Sequence, residues 1–400
     1  MAEFSIGVGP QFEGETVRKN AFQVELGGGT TKRFELVTLK EMDAIENEKI
    51  EIIGLDINEM EEGSTHPFAL LIDVAGEELE KDMEPVIERR IHMYSNYMEG
   101  VWHMGSRDDI WLRIHKDSYN QGFNSFKEFG AILITLFTAE MYMIEKIAIT
   151  FVTDPKKVEE LLPKAREIYR ARDERVRGMK DEEVDDFYGC IMCQSFAPQH
   201  VCVITPERQS ICGCISWLDG KAAFKMDPEG PNFRIDKGEC LDPVLGLYTG
   251  VNAAVAEKSM GASTEFYLYS AFDKPHTGCG CFQCVLFYIP EVDGFGVVHR
   301  EYQGTTPTGE TFSSLAGEVS GGRQIEGMIG IGVSYLRSPK FMLADGGHKR
   351  LMWMPKELKE RVQEDFPEGI ADKIATEEDA ASVEALEEFL NNVGHPWLAG

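Results

Sequence analysis

The sequence predicts an α/β amino-terminal domain with a mainly parallel sheet, followed by a second domain of the α+β class. Three observations support this prediction. Strand-like and helix-like segments alternate from residue 66 onward, a polar and acidic run follows at residues 180–186, and every cysteine lies after that run. A chain of 400 residues is also too long for one ordinary hydrophobic core. We therefore predict two domains, residues 1–182 and residues 183–400.

In the first domain, the alternation of apolar patterns indicates a parallel sheet that is covered by helices. Phe68–Val74 is a continuous apolar run, typical of a buried strand, and residues 77–97 follow with apolar side chains at helical spacing. Asp154 and Pro155 open a later helix, because Asp is favoured at the N-cap and Pro at the first helical position. The remaining segments are a strand at 109–114, a helix at 125–143 and a strand at 146–152.

The helix that begins at Pro155 is predicted to reach about Val176, and its second half is basic because arginines occur at 166, 170, 172, 175 and 177. The favoured interpretation is a solvated face whose charge is offset by nearby acidic residues. The alternative is a local attraction for an anionic ligand on an otherwise acidic protein.

The second domain mixes short strands with helices, which favours the α+β class. Its strand-like runs are residues 201–204, 266–269 and 284–289, and its helix-like runs are 248–258, 357–364 and 377–392.

Charge and hydropathy exclude several classes of partner. The formal net charge is −28, so the chain has no surplus of positive charge for nucleic acid or for an anionic membrane surface. No secretory signal is visible, and the most apolar run, residues 129–139, is shorter than the roughly 20 residues that a membrane span needs. We therefore expect a cytoplasmic protein, where grouped cysteines are metal ligands or redox groups more often than disulfides.

All nine cysteines lie between Cys190 and Cys284. The first four, Cys190, Cys193, Cys202 and Cys212, could close around one tetrahedral centre. Their spacing leaves open a structural zinc ion or an iron–sulfur cluster, with the cluster modestly favoured. The second domain is therefore predicted to be a metal-cluster domain.

A Cys-Gly-Cys tripeptide occurs twice, at residues 212–214 and 279–281. Two thiolates and the two backbone nitrogens between them can enclose one ion in a plane, which suits Ni(II) or Cu(II). The alternative is a tight turn that bears zinc ligands. The residues alone do not show which tripeptide would hold nickel.

At these cysteines the sequence resembles the catalytic subunit of CO-methylating acetyl-CoA synthase, the β subunit of the acetyl-CoA decarbonylase/synthase complex, in its short archaeal-type form. The resemblance implies an A cluster, in which a 4Fe–4S cluster is joined to two nickel ions. It assigns the tripeptide at 279–281 to nickel and leaves Cys214 as a bystander. The implied ligands of the 4Fe–4S cluster are Cys190, Cys193, Cys202 and Cys212; Cys193 also bridges to the proximal nickel, Cys279 and Cys281 bridge the two nickels, and the nitrogens of Gly280 and Cys281 complete the distal site.

The resemblance further implies a reaction and its partners. A methyl group from a corrinoid iron–sulfur protein, CO from carbon monoxide dehydrogenase and coenzyme A would be condensed to acetyl-CoA, or acetyl-CoA cleaved in reverse. Phe196 would lie over the proximal nickel beside the catalytic Cys193, Cys279 and Cys281. Trp102 would lie near coenzyme A, which the first domain, of the family's middle type, would contact. The family's longer amino-terminal domain, which docks on carbon monoxide dehydrogenase, is expected to be absent.

Other residues have less specific expectations. Cys240 and Cys284 are expected to be buried thiols, and His276 is either an ordinary surface or packed histidine, which is the favoured interpretation, or a donor of a hydrogen bond to a thiolate. Helix 155–177 and loop 337–350, with Arg337 and Lys340, are candidates for the phosphates of coenzyme A. Three other functions remain open: a non-catalytic iron–sulfur electron-transfer protein, a zinc-stabilised binding protein, and a different nickel or iron–sulfur oxidoreductase that acts on CO.

Overall fold

The computed structural model describes residues 22–27, 31–98, 110–195 and 197–398. The chain divides into two compact units, Met1–Arg175 and Val176–Gly400. Both units contain strands and helices, so the mixed α/β character that the sequence predicts is confirmed at that level. The strands of the first unit are β1 Phe22–Leu26, β2 Arg33–Leu39, β3 Ile50–Ile53, β4 Ser64–His66, β5 Phe68–Ala75, β6 Leu112–His115 and β7 Lys146–Val152, and its helices are α1 Glu84–Met98, α2 Lys116–Asn120, α3 Phe126–Glu140 and α4 Pro155–Glu174.

The larger sheet of the first unit has the strand order β2-β5-β7-β3. β2 pairs with β5 in parallel and β3 with β7 in parallel, whereas β5 and β7 are antiparallel, so the sheet is mixed. A strand is present where one is predicted at 109–114, since β6 covers Leu112–His115, but it belongs to a smaller sheet of order β4-β1-β6. Its partner is β1, nearly ninety residues away in sequence, and a local apolar pattern cannot identify such a partner.

Side chains from α1 and α4 cover the outer edge of β2. The amide of Val37 donates to Glu88 at 3.0 Å, the amide of Leu39 donates to Glu84 at 2.8 Å, and Arg172 donates to the carbonyl of Val37 at 2.9 Å. Arg172 also forms ion pairs with both glutamates at 3.1 Å and is 6% exposed. Such cover satisfies the backbone groups that an edge strand would otherwise present to another chain.

The predicted start of α4 is confirmed, since Asp154 caps the helix through a 2.8 Å bond from the amide of Lys157, and Pro155 is its first residue. The solvated-face interpretation of its arginines is wrong for Arg172, which lies in the buried ion-pair network at β2. Arg175 pairs with Asp82. These two arginines thus already have carboxylate partners within the first unit.

The second unit contains two larger sheets. One has the order β10-β8-β9, with β8 at Asp186–Cys190, β9 at Cys202–Ile204 and β10 at Asn232–Asp236. The other has the order β15-β13-β14-β16, with β13 at Cys284–Ile289, β14 at Gly294–His299, β15 at Met328–Ile331 and β16 at Leu351–Trp353. The predicted strand at 284–289 is confirmed. The predicted strand at 266–269 is wrong: Phe266, Leu268 and Tyr269 are buried, but the amide of Leu268 bonds to the turn at Gly246 instead of to a strand. The other elements are α5 Trp217–Met226, β11 Cys240–Asp242, β12 Leu247–Tyr248, α6 Thr249–Lys258, α7 Phe312–Val319, α8 Lys356–Val362 and α9 Val383–Val393.

Among the described residues, no helix combines the length and the apolar character that crossing a bilayer requires.

Candidate metal centre

Two of the predicted ligands are neighbours across the antiparallel pair β8–β9. Cys190 ends β8, Cys202 begins β9, and their Cα atoms are directly opposed. Directly opposed residues place their side chains on the same face of a sheet. Cys193 follows in a short 3-10 helix, Met192–Ser195, whose carbonyl at Cys193 accepts a 3.0 Å bond from the amide of Ala197. The sheet thus fixes one pair of thiols, and the turn after β8 presents a third.

Cys212 lies in a loop that is organised around Ser210. The Ser210 hydroxyl accepts a 3.0 Å bond from the amide of Ile215 and lies 3.3 Å from the sulfur of Cys212. Burial, and then the neighbouring Cys190 and Cys212, raise the pKa of the Cys202 thiol far above its usual range. Cys190, Cys202 and Cys212 therefore form one buried group of thiols.

The tripeptide at 279–281 turns at Gly280, whose φ of +110° lies in a region that side-chain-bearing residues rarely adopt. The amide of Cys281 points at the sulfur of Cys279, at 3.4 Å. Arg300 donates to the carbonyls of Gly280 at 3.1 Å and Phe282 at 3.0 Å. The loop before β13 is therefore held by the segment that follows β14.

The thiols of Cys193, Cys279 and Cys281 form a second group. Hydrogen bonds to Cys279 and Cys281, together with burial, raise the pKa of Cys193 well above its usual range. The pKa of Cys279 is also raised: its bond with Cys193 acts in the opposite direction, but the bond with Cys281 and burial outweigh it. The raised pKa values of Cys193 and Cys279 favour thiols that hold their protons until a cation replaces them, which is the behaviour expected of a thiolate metal site.

Two histidines lie beside the second group. His200 contacts the Thr277 hydroxyl at 3.0 Å, and burial lowers its pKa to about 4 although Cys281 acts to raise it. His276 packs between His200 and Phe266, at ring distances of 5.6 and 4.8 Å, and bonds to the carbonyl of Thr277. Burial lowers its pKa as well. Both imidazoles are therefore neutral, and His276 is packed in the interior, as one of the two expectations had it.

The remaining cysteines differ from one another. Cys214 is fully buried and its sulfur lies 3.3 Å from the carbonyl of Cys212. Cys284 is buried on β13, as predicted. The prediction for Cys240 is wrong, because this residue is exposed on β11, which pairs only with the two-residue strand β12 within the described residues. Two of the three residues of β11 are exposed and the third is half-buried, so this strand has little cover.

Two candidate contacts for the phosphates of coenzyme A, Arg337 and Lys340, already have carboxylate partners. Arg337 pairs with Asp365 at 2.5 Å, and Lys340 pairs with Glu182. Trp102 and Phe196 lie outside the described residues, so their roles stay predictions. A phosphate group would have to displace a carboxylate from Arg337 or Lys340.

Sequence reasoning missed three residues that shape the site: Ser210, His200 and Arg300. The first two each lie two positions before a predicted cluster ligand, Cys212 and Cys202, and that proximity was an available signal. Arg300 had no such signal, because it reaches Gly280 only through the β13–β14 pairing.

Cys214→Ala is expected to leave bound iron and nickel unchanged. The reason is that the Cys214 sulfur points at a backbone carbonyl, whereas Cys212 belongs to the thiol group with Cys190 and Cys202. Metal analysis of the reconstituted protein measures this, with Cys212→Ala as the matched control that should lose most of its iron. Loss of nickel in Cys214→Ala would indicate that 212–214 is the nickel-binding tripeptide.

Comparison with known proteins agrees with the cysteine pattern. Residues 4–158 match the family of the CO dehydrogenase/acetyl-CoA synthase complex beta subunit, and residues 169–399 match the C-terminal family of the ACS/CODH beta subunit. The chain is 55% identical to acetyl-CoA decarbonylase/synthase complex subunit beta 2 of Methanocaldococcus jannaschii, over 98% of this chain and 83% of that one. It is 52% identical to subunit beta of Methanopyrus kandleri, over 99% of this chain and 85% of that one.

A solved C-terminal domain of the alpha subunit of acetyl-coenzyme A synthase is 39% identical over 31% of this chain and 97% of its own, with a TM-score of 0.29, too low to support any statement about the fold. The two sequence comparisons, in contrast, extend over nearly the whole chain. This protein therefore belongs to the family of beta subunits of the acetyl-CoA decarbonylase/synthase complex.

Proposed function

We propose that this protein is an acetyl-CoA synthase, which joins a methyl group from a corrinoid iron–sulfur protein, CO and coenzyme A into acetyl-CoA, or cleaves acetyl-CoA in reverse. The observation that carries the proposal is the convergence of the Cys193 thiol with the thiols of Cys279 and Cys281, although about ninety residues separate them in the chain. Relatives named as subunits of the acetyl-CoA decarbonylase/synthase complex support the same reaction.

The thiols fit the proposed A cluster in both number and grouping. Cys190, Cys202 and Cys212 would hold a 4Fe–4S cluster together with Cys193, which also faces Cys279 and Cys281 and is therefore suited to be shared with nickel. When bound, the nickel ions would supply a soft, partly open coordination site at which two carbon fragments and a thiol can react.

Gly280 and Arg300 suit the tripeptide to a planar ion. The φ of +110° at Gly280 brings the amide of Cys281 toward the Cys279 sulfur. Within the part of the chain that the structure describes, the Ser320 side chain alone, at 3.4 Å, would be near a Cβ at this position. The Arg300 guanidinium donates to the Gly280 carbonyl, which belongs to the same peptide group as the Cys281 nitrogen. The positive charge of Arg300 beside that carbonyl favours deprotonation of the Cys281 amide, which a planar N₂S₂ site would require.

The surrounding residues keep the proposed reaction centre dry. The sulfur-bearing residues of the second group are 4–8% exposed, and the neutral His200 and His276 fill space beside them. A dry site protects reactive species from water and strengthens electrostatic interactions. Coenzyme A contacts in the first domain, with Trp102, and access control by Phe196 are the parts of the proposal that rest on resemblance alone.

Metal content combined with an exchange assay tests the proposal. After anaerobic reconstitution we expect about two nickel for every four iron, together with exchange of CO into the carbonyl group of acetyl-CoA. Iron without nickel would indicate an electron-transfer protein, and zinc alone would indicate a zinc-stabilised binding protein. Oxidation of CO with an acceptor dye, without any methyl donor, would instead indicate a different CO-dependent oxidoreductase.

A further inference from the structure

A buried histidine in the second unit has no hydrogen-bond partner among the described residues. His299 ends β14 and is 3% exposed, and neither of its ring nitrogens makes a hydrogen bond there. Leaving a buried polar group without a partner is costly. The imidazole is therefore available as a ligand for a bound ion.

Two carboxylates face this imidazole. Glu357 lies in the first turn of α8, and Glu301 follows β14 by two residues. One ligand atom from each of the three side chains lies within 4.8 Å of the other two, and the His299 Nε2 atom lies 3.9 Å from the Glu357 Oε2 atom. That distance is too long for a hydrogen bond. Donor atoms that share one zinc ion at about 2.0–2.2 Å are separated by roughly 3–4 Å, so small side-chain movements would suffice.

We propose that His299, Glu301 and Glu357 form a second metal site, which binds a divalent transition ion such as Zn²⁺. The donor set is one nitrogen and two carboxylate oxygens. An imidazole ligand disfavours Mg²⁺ and Ca²⁺, and the absence of sulfur from this group separates the site chemically from the cysteine centre. Glu301 and Glu357 are exposed, so an ion can enter from solvent and retain a water molecule as its fourth ligand.

Charges of both signs lie around the group. The negative charges of Glu357 and Glu377 both attract positive charge at His299. Arg361 opposes them and lies 3.8 Å from Glu301. A divalent ion would replace the weak, half-exposed ion pair of Arg361 and Glu301 with a direct bond from Glu301 to the metal. The ion would also connect the end of β14 to the start of α8.

Zinc binding to the full-length protein tests the site, with Zn²⁺ alone as the probe. We expect an anomalous-scattering peak at the zinc edge between the three side chains in zinc-soaked crystals of the wild type. Glu357→Gln and Glu301→Gln should abolish that peak and weaken zinc binding more than about tenfold. Removing a residue that only supports a metal ligand already costs about tenfold, so removing a ligand itself should cost more.

Glu360→Gln is the matched control, because it removes the same charge from an exposed position on α8 and should bind zinc as the wild type does. Both tested glutamates are exposed, so their replacement leaves the core unchanged. A wild-type map with zinc only at cysteines, or full occupancy of the site in Glu357→Gln, would overturn the proposal.

Discussion

Replacing Cys281 with serine is expected to abolish exchange of CO with acetyl-CoA while leaving the visible absorption of the 4Fe–4S cluster. Serine does not provide a thiolate, and a soft metal ion binds an alkoxide poorly. Cys281 is one of the three thiols that meet in the second group, whereas Cys190, Cys202 and Cys212 are untouched by the change. The measurement is isotope exchange between labelled CO and acetyl-CoA after reconstitution with iron, sulfide and nickel.

Cys240→Ser is the matched control, since it makes the same chemical change at an exposed cysteine far along the chain from the tripeptide. It should keep both exchange and absorption. Exchange at the wild-type rate in Cys281→Ser would contradict the nickel assignment. Joint loss of absorption and exchange would indicate instead that all six thiols hold a single cluster.

Replacing Arg172 with methionine is expected to destabilise the first unit by about 3–5 kcal/mol, the cost of removing one partner from a buried ion pair. Without the guanidinium, the buried Glu84 and Glu88 lose a cationic partner, and the carbonyl of Val37 loses its donor. The urea concentration at the midpoint of unfolding of the first unit should fall. Amide hydrogen exchange at Val37 and Leu39 should accelerate, because both amides donate to these glutamates.

Arg170→Met provides the comparison, because Arg170 is exposed on the same helix. Its effect should stay within about 0.5 kcal/mol, as for most surface substitutions. If both variants unfold at the same urea concentration, the network at β2 contributes little and the helix is held by its apolar face alone.

Local signals in the sequence predicted several elements well. The Asp154–Pro155 start of α4 and the bounds of β7 and β13 agree with the structure, because capping and unbroken apolar runs act over a few residues. β2 and β3 were not predicted, the strand predicted at 109–114 pairs in the smaller sheet, and the strand predicted at 266–269 is wrong. In each of these cases the outcome depends on a partner strand or turn that is distant in sequence.

The candidate site divides in the same way. Spacing within residues 190–212 indicates a cluster of thiols, and Cys-Gly-Cys indicates a planar ion, because both patterns are local. That Cys193 meets the tripeptide at 279–281, and that Arg300 supports Gly280, depends on how the loop before β13 folds back. The spacing of residues does not predict how this loop folds back. Physical reasoning alone therefore could not decide which of the two tripeptides would hold nickel.

The division of the thiols between early and late stretches of the chain has a consequence for biogenesis. Cys190, Cys193, Cys202 and Cys212 leave the ribosome as a set before Cys279 and Cys281 have been translated. A nascent polypeptide can thus offer the four proposed iron ligands while the proposed nickel-binding pair is still missing. Under the proposed assignment, the direction of translation itself favours loading iron first, and a cell that supplies nickel too early would present it to the wrong sulfurs.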